Sequence, residues 1–233
     1  MNRNIPKTLD CFKAISNPEI YRNFMIHLFV MFPAAMMMCW LASLLDQKLG
    51  WSVFGADIWR VPSGLSLIFL GGIWVWFVYG YLFLVGEGSP GTHVDGGPIR
   101  LVDTGPYSAM RHPSVLGKLL GVTGLGLAWG STSFLLFFLP ILLLYSYATN
   151  RLIQEKFCYE RFGNSYAQYS REVPMFLPNM KGFRRWKNKE SVLAEIELAS
   201  VSSQPPGIWN EFRWYLLGLI GLLSLFGFFL WIA

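Results

Sequence analysis

The sequence predicts an all-α, polytopic membrane protein of about five transmembrane helices, and three observations carry that reading. Of its 233 residues 53% are hydrophobic and only 14% charged, where soluble domains carry roughly 25% charge. The apolar residues are gathered into long runs, each near the length a helix needs to cross about 30 Å of hydrocarbon. The lysines and arginines fall almost entirely on one side of those runs. Disordered, collagen-like and disulfide-framework classes are excluded at once, since Cys11, Cys39 and Cys158 are odd in number, widely spaced and form no CxxC pair. The net charge of +5 does not argue for a nucleic-acid partner, because its placement follows the membrane.

The N-terminal 23 residues are mostly polar, and the run that follows is too long for the apolar region of a signal peptide, so no cleavable leader is expected. The first span is expected over 24–45 (FMIHLFVMFPAAMMMCWLASLL) and the second over 62–85. Runs 114–129 and 132–150 are separated only by Gly130-Ser131, which predicts a tight helical hairpin, and 212–232 closes the chain as a fifth span. Gly and Pro inside these runs are tolerated where neighbouring helices satisfy the freed backbone groups. With five spans, seventeen of the nineteen cations share one face, leaving Lys48 and Arg60 on the other. By the positive-inside rule that face, with the N-terminus, is cytoplasmic.

Two polar segments, 86–113 and 151–211, are too long to be plain connectors and lie on the same face. The chain therefore reads as one integral membrane domain, 1–233, with its chemistry in a cytoplasmic segment after the hairpin. Within that segment Gly182–Lys189 (GFRRWKNK) mixes cations with Phe183 and Trp186, as a positive-inside flank or a contact for anionic headgroups would. Residues 191–201 suit a short interfacial helix, and Ser202–Gly207 a linker.

No strand precedes a GxGxxG, and GxxxxGK[ST], HExxH and GxSxG are absent. His27, His93 and His112 lie in different segments, so no metal is expected. What remains is GPYSAMRHPSVLG at 105–117. Pro113 suits the first turn of a membrane helix, which sets Arg111 and His112 at its mouth, beside the positive dipole end. Arg111 there either anchors the interface or grips a carboxylate or phosphate, and His112 can donate a hydrogen bond or take a proton. The hairpin returns Arg151 and Glu155 to the same face. Glu155 at a helix exit needs a cation opposite, either Arg151 one turn earlier or the ammonium of a ligand.

GPYSAMRHPSVLG, an apolar hairpin, NRLIQEKF, FGNSYAQY and VPMFLP, in that order, resemble the isoprenylcysteine carboxyl methyltransferase and phospholipid methyltransferase superfamily over about 86–178. The resemblance implies S-adenosyl-L-methionine bound in a cytoplasm-facing pocket and a lipidic or small hydrophobic acceptor arriving from the bilayer. It places Gly86 and Gly88 in the Gly-x-Gly element, Arg111, His112 and Pro113 in the RHP element, and Glu155 as the second acid of a Glu-Glu pair. Arg111 and His112 become the catalytic candidates; Tyr107, Arg151 and Tyr166 join the others around the cofactor. Two positions depart from the pattern: Val115 replaces a tyrosine and Gln154 the first glutamate. An NADPH-dependent sterol-type reductase is the alternative enzyme, although Lys118 stands where those proteins carry an acid. A non-catalytic lipid-binding protein is the third reading.

Overall fold

A computed structural model describes residues 5–18, 20, 21, 25, 29, 32–51, 58–87 and 98–194. Among them every regular element is helical, with no strand. In chain order these are α1 (Thr8–Lys13), α2 (Phe32–Leu49), α3 (Arg60–Gly86), α4 (Pro106–Ala109), α5 (Pro113–Trp129), α6 (Leu139–Thr149), α7 (Glu155–Glu172) and α8 (Met180–Asn188). Wide π turns at Phe134–Phe138 and Asn150–Gln154 precede and follow α6, so Phe134–Glu172 runs on as 39 helical residues.

Two of these stretches, Arg60–Gly86 and Phe134–Glu172, are long and apolar enough to cross a membrane. Helices occupy the stretches expected for the second span and for the hairpin. Much of the first span, before Phe32, and all of the fifth lie outside the described residues. The helix of the first span also runs four residues past its apolar part, to Leu49. Asp46 explains why: its carboxylate is buried, accepting from the Ser131 hydroxyl at 2.7 Å and the Ser133 amide at 2.8 Å. It thereby caps the helix that leaves the Gly130-Ser131 turn, where amide groups lack partners of their own.

The central contact is between α3 and α5, which run antiparallel and almost touch through glycine. A Cβ built at Gly71 would lie 2.4 Å from the Gly117 carbonyl oxygen, and one at Gly64 2.5 Å from that of Gly124. The pairs are seven residues apart on each helix, two turns, so one seam serves both. Close backbone approach is how helices gain packing where lipid offers no hydrophobic driving force between them. The seam is closed at the site end by the Trp74 indole N–H, which donates to the Pro113 carbonyl at 2.7 Å. On the other side of α5, small residues of α2 at helical spacing (Ala35, Cys39, Ala42) pack against Leu125 and Phe134.

The outer face of α3 changes character at the level of Trp74. Val61, Leu65, Phe69, Leu70 and Ile73 are exposed. Beyond them α1 and α8 cover the helix. Gly80 abuts the Cys11 carbonyl, the Trp76 indole donates to the Phe12 carbonyl at 3.3 Å, and Trp186 stacks on Phe77. At 27 residues α3 is about 40 Å long, so its last third extends past a hydrocarbon layer of about 30 Å.

The seam yields a first prediction. Gly71→Val should lower the melting temperature in detergent by an amount equivalent to about 1–3 kcal/mol, the usual cost of overpacking, because backbone on the partner helix cannot yield. Gly72→Ala and Gly121→Ala, whose Cβ atoms would meet nothing within 4 Å, should leave melting nearly unchanged. Equal losses in all three would show that the seam is not what governs stability here.

Candidate functional site

The site is built where the chain breaks between α4 and α5. Gly105 begins α4 at φ 59°, and a Cβ there would collide with the Tyr81 ring at 2.3 Å, so no other residue fits. Pro106 and Pro113 open α4 and α5. Arg111 and His112, between the two helices, have no helical partners for their amides. Both are answered by the segment after α7: Arg111 N–H donates to the Pro174 carbonyl at 2.8 Å and His112 N–H to Met175 at 3.0 Å. The Val-Pro-Met-Phe-Leu-Pro stretch is thus a brace laid under the Arg-His-Pro stretch, and Phe176 meets the His112 ring edge-on at 6.0 Å.

From the other direction comes Glu155. The π turn at Asn150–Gln154 shifts the register of the helix after the hairpin, leaving Gln154 exposed and Glu155 fully buried. Three groups surround its carboxylate. Arg111 Nη1 is 2.9 Å from Oε1, His112 Nε2 is 3.4 Å from the same oxygen, and Arg151 Nη1 is 2.5 Å from Oε2. The side chains of Arg111 and Glu155 are 1% exposed and that of Arg151 20%, so the group opens toward solvent on the Arg151 side. Burial pushes the Glu155 carboxyl pKa up, but the close approach of His112, the guanidinium of Arg111 and the bond from Arg151 outweigh it and hold it at about 2. Burial pulls His112 below the ordinary histidine range, against the pull of Glu155, so its imidazole is neutral near pH 7. With two guanidinium groups against one carboxylate, these four side chains carry a surplus positive charge.

The other expected site residues hold this group in place without joining it. Pro113 starts α5 directly after His112. Tyr107 is buried with its ring stacked on Tyr81, and its carbonyl accepts from the Tyr169 hydroxyl at 2.8 Å. Tyr166 packs edge-on against Tyr159, 4.8 Å between centroids, in a cluster with Tyr169, Val173 and Val192. Gly86 ends α3, where its carbonyl accepts from the amides of Ile99 and Arg100 and a Cβ would press on Pro98. Gly88 lies outside the described residues, as do His27 and His93. Gly163, inside α7, has φ 53° and ψ −126° and bends the helix so that Tyr166 and Tyr169 turn back toward Tyr107.

Several residues matter that sequence reasoning did not single out. Tyr169 ties α7 to α4, and its place beside Tyr166 in the FGNSYAQY stretch was the available signal. Asp103 accepts from the Ser191 hydroxyl and the Leu193 amide, docking 191–194 onto the site segment. Val192 is consequently buried, so this turn packs against protein where an interfacial helix was expected; 195–201 lie outside the described residues. Arg185, read as part of a cationic flank, is buried against Glu172 at 3.2 Å. Among the described residues no three His, Cys, Asp or Glu side chains converge as a metal site would require.

The architecture is that of a helical membrane protein whose buried ion cluster sits at the mouth of an apolar hairpin. Residues 59–165, a little under half of the chain, match the family model for phospholipid methyltransferases, and this stretch is similar to that superfamily. The match runs from the start of α3 to the middle of α7, so it holds the glycine seam, the hairpin and all four members of the cluster. No curated protein and no solved structure matches the chain.

The second prediction concerns the cluster. The depressed Glu155 carboxyl adds stability that is fully present above about pH 5 and lost as pH falls toward 2. Glu155→Gln should cost about 3–5 kcal/mol at pH 7, because it strands buried guanidinium charge. It should also flatten the acid limb of the stability curve between pH 5 and 3. Chemical or thermal unfolding across that range measures both, and an unchanged acid limb would mean other carboxylates govern acid lability.

Proposed function

We propose that this chain is an S-adenosyl-L-methionine-dependent methyltransferase of the membrane, acting on a lipidic or small hydrophobic acceptor at the cytoplasmic face. On this reading the chain has five spans, with a cytoplasmic N-terminus and site, the 86–178 core and the last span at 212–232. The observation that carries it is the buried Arg111–His112–Glu155–Arg151 cluster inside the methyltransferase-family segment.

The residues present fit that cofactor. The cluster holds two guanidinium groups, and the cofactor's amino-acid end supplies a carboxylate that a guanidinium fork can hold in two bonds. When bound, the cofactor supplies an electrophilic methyl on sulfonium sulfur. Arg111 orients its carboxylate. Glu155, while holding Arg111 and His112 in register, presents a negative charge to its ammonium. Arg151, at the more open edge, closes the carboxylate's second oxygen off from water. Tyr107, Pro113 and Tyr166, with Gly86 and Gly88, complete the surround. A carboxylate or thiolate acceptor needs no base. For an amine acceptor, His112 is neutral, and with Nε2 directed at Glu155 its Nδ1 is the atom that takes the proton. The apolar surroundings exclude water, and alignment supplies most of the rate.

Two outcomes test this. Purified protein incubated with methyl-labelled S-adenosyl-L-methionine and membrane extract should yield a labelled lipid-soluble product; tight NADPH binding without cofactor binding would favour the reductase instead. Arg111→Ala should lose most of the ligand-induced rise in melting temperature, with affinity falling roughly ten- to a hundredfold. Arg111→Lys should recover only part. Arg151→Ala should lower melting with or without ligand. Equal ligand-induced shifts in wild type and Arg111→Ala would remove Arg111 from the site.

A further inference from the structure

Beside α3, α1 and α8 leave an open groove of about 350 Å³. Its floor is the Leu70–Phe77 stretch of α3, and its walls are Phe12 of α1 and Trp186 of α8. The wall is aromatic and continuous. Phe77 lies 5.9 Å from Phe12 and 6.2 Å from Trp186 between centroids, and Trp186 lies 5.9 Å from Trp74 and 6.2 Å from Phe183. The Trp74 indole N–H is already spent on Pro113, so this wall offers carbon surface and hardly any hydrogen bonding. A peptide laid here would leave its own amides unanswered; a hydrocarbon chain would not.

Leu70 and Ile73, 56% and 38% exposed, continue the apolar belt of Leu65 and Phe69, so the groove opens toward the hydrocarbon side. Outside the groove α8 carries exposed Arg184 and Lys187, sequence neighbours of Phe183 and Trp186, and Lys13 is exposed at the end of α1. Nearby carboxylates are committed elsewhere: Glu172 to Lys181 and Arg185, Asp10 to the Lys7 amide, and Glu190 to Asn188. Neither Arg184 nor Lys187 makes an ion pair among the described residues. The helix therefore sets Trp186 on the groove and carries exposed cations of the kind that suit a bilayer's phosphates.

We propose that this groove binds an anionic glycerophospholipid, one acyl chain along the Phe12–Phe77–Trp186 wall and the phosphodiester headgroup at Arg184 and Lys187. None of the groove's lining residues belongs to the ion cluster, and the proposal does not depend on the methyltransferase reading. Cations near the surface favour a lipid of net negative charge over a zwitterionic one, and the aromatic wall sets where its chain lies.

Fluorescence quenching in nanodiscs tests it. The full chain is placed in phosphatidylcholine containing a minority of acyl-brominated phosphatidylglycerol or acyl-brominated phosphatidylcholine, and tryptophan emission is followed against bromolipid fraction. In the wild type the brominated anionic lipid should reach half-quenching at roughly tenfold lower mole fraction. In Arg184→Gln/Lys187→Gln, with melting temperature confirming the fold, the two titrations should coincide. Trp186→Phe should keep the preference but reduce the headgroup-dependent part of the quench. Coincident curves in the wild type, or a preference that survives in the double variant, would overturn the proposal. So would a loss of quenching on self-association, which would make a second copy the occupant.

Discussion

A buried carboxylate is the constraint from which the rest of the site follows. An ion taken out of water loses several kcal/mol of hydration even after the protein relaxes, and Glu155 recovers that only because three donors reach it from two directions. Each donor fixes something different. Arg151 sits one turn earlier on the same helical run and comes with it. Arg111 and His112 lie about forty residues away in sequence, so Glu155 can stay charged only if the hairpin closes and returns its far end to the start of α5. The brace after α7 then supplies the carbonyls of Pro174 and Met175 for the amides of Arg111 and His112. Side-chain charge and backbone hydrogen bonding thus select the same arrangement.

The glycine seam decides where that arrangement sits in depth. Because Gly71 abuts Gly117 and Gly64 abuts Gly124, the start of α5 is held at the level of Trp74, where the exposed apolar face of α3 ends. Arg111 and His112, which lead directly into α5, therefore lie at the end of that apolar face. Were the two helices spaced by leucines, their axes would move apart, and the Trp74–Pro113 hydrogen bond that pins this level would break.

The parts legible in the sequence were those written in runs and punctuation. The bounds of α3 and α5 followed from apolar length, Pro113 and Gly130, and the meeting of Arg111, His112 and Glu155 followed from the brevity of the Gly130-Ser131 turn. What could not be read depends on register or on partners distant in the chain. Nothing in Gln154-Glu155 announces a π turn that sends one outward and the other into the core. Arg185 looks like any other cation in its stretch until Glu172 is placed beside it, and Asp46 looks like the polar end of a span until Ser131 and Ser133 are seen to need it. Tyr107 was placed around the cofactor by the family resemblance, and what the sequence did not show is that its ring stacks on Tyr81.

The two departures from the family pattern gain meaning from this geometry. Gln154 is exposed, so exchanging a glutamate for it leaves the charge balance of the buried cluster untouched. Val115 is different, because it is buried one turn past His112 and packs with Met175, Phe176, Leu119 and Tyr147. A tyrosine there would bring a hydroxyl that must find a partner when buried; valine brings none. The wall beside His112 is thus more apolar than the pattern would make it.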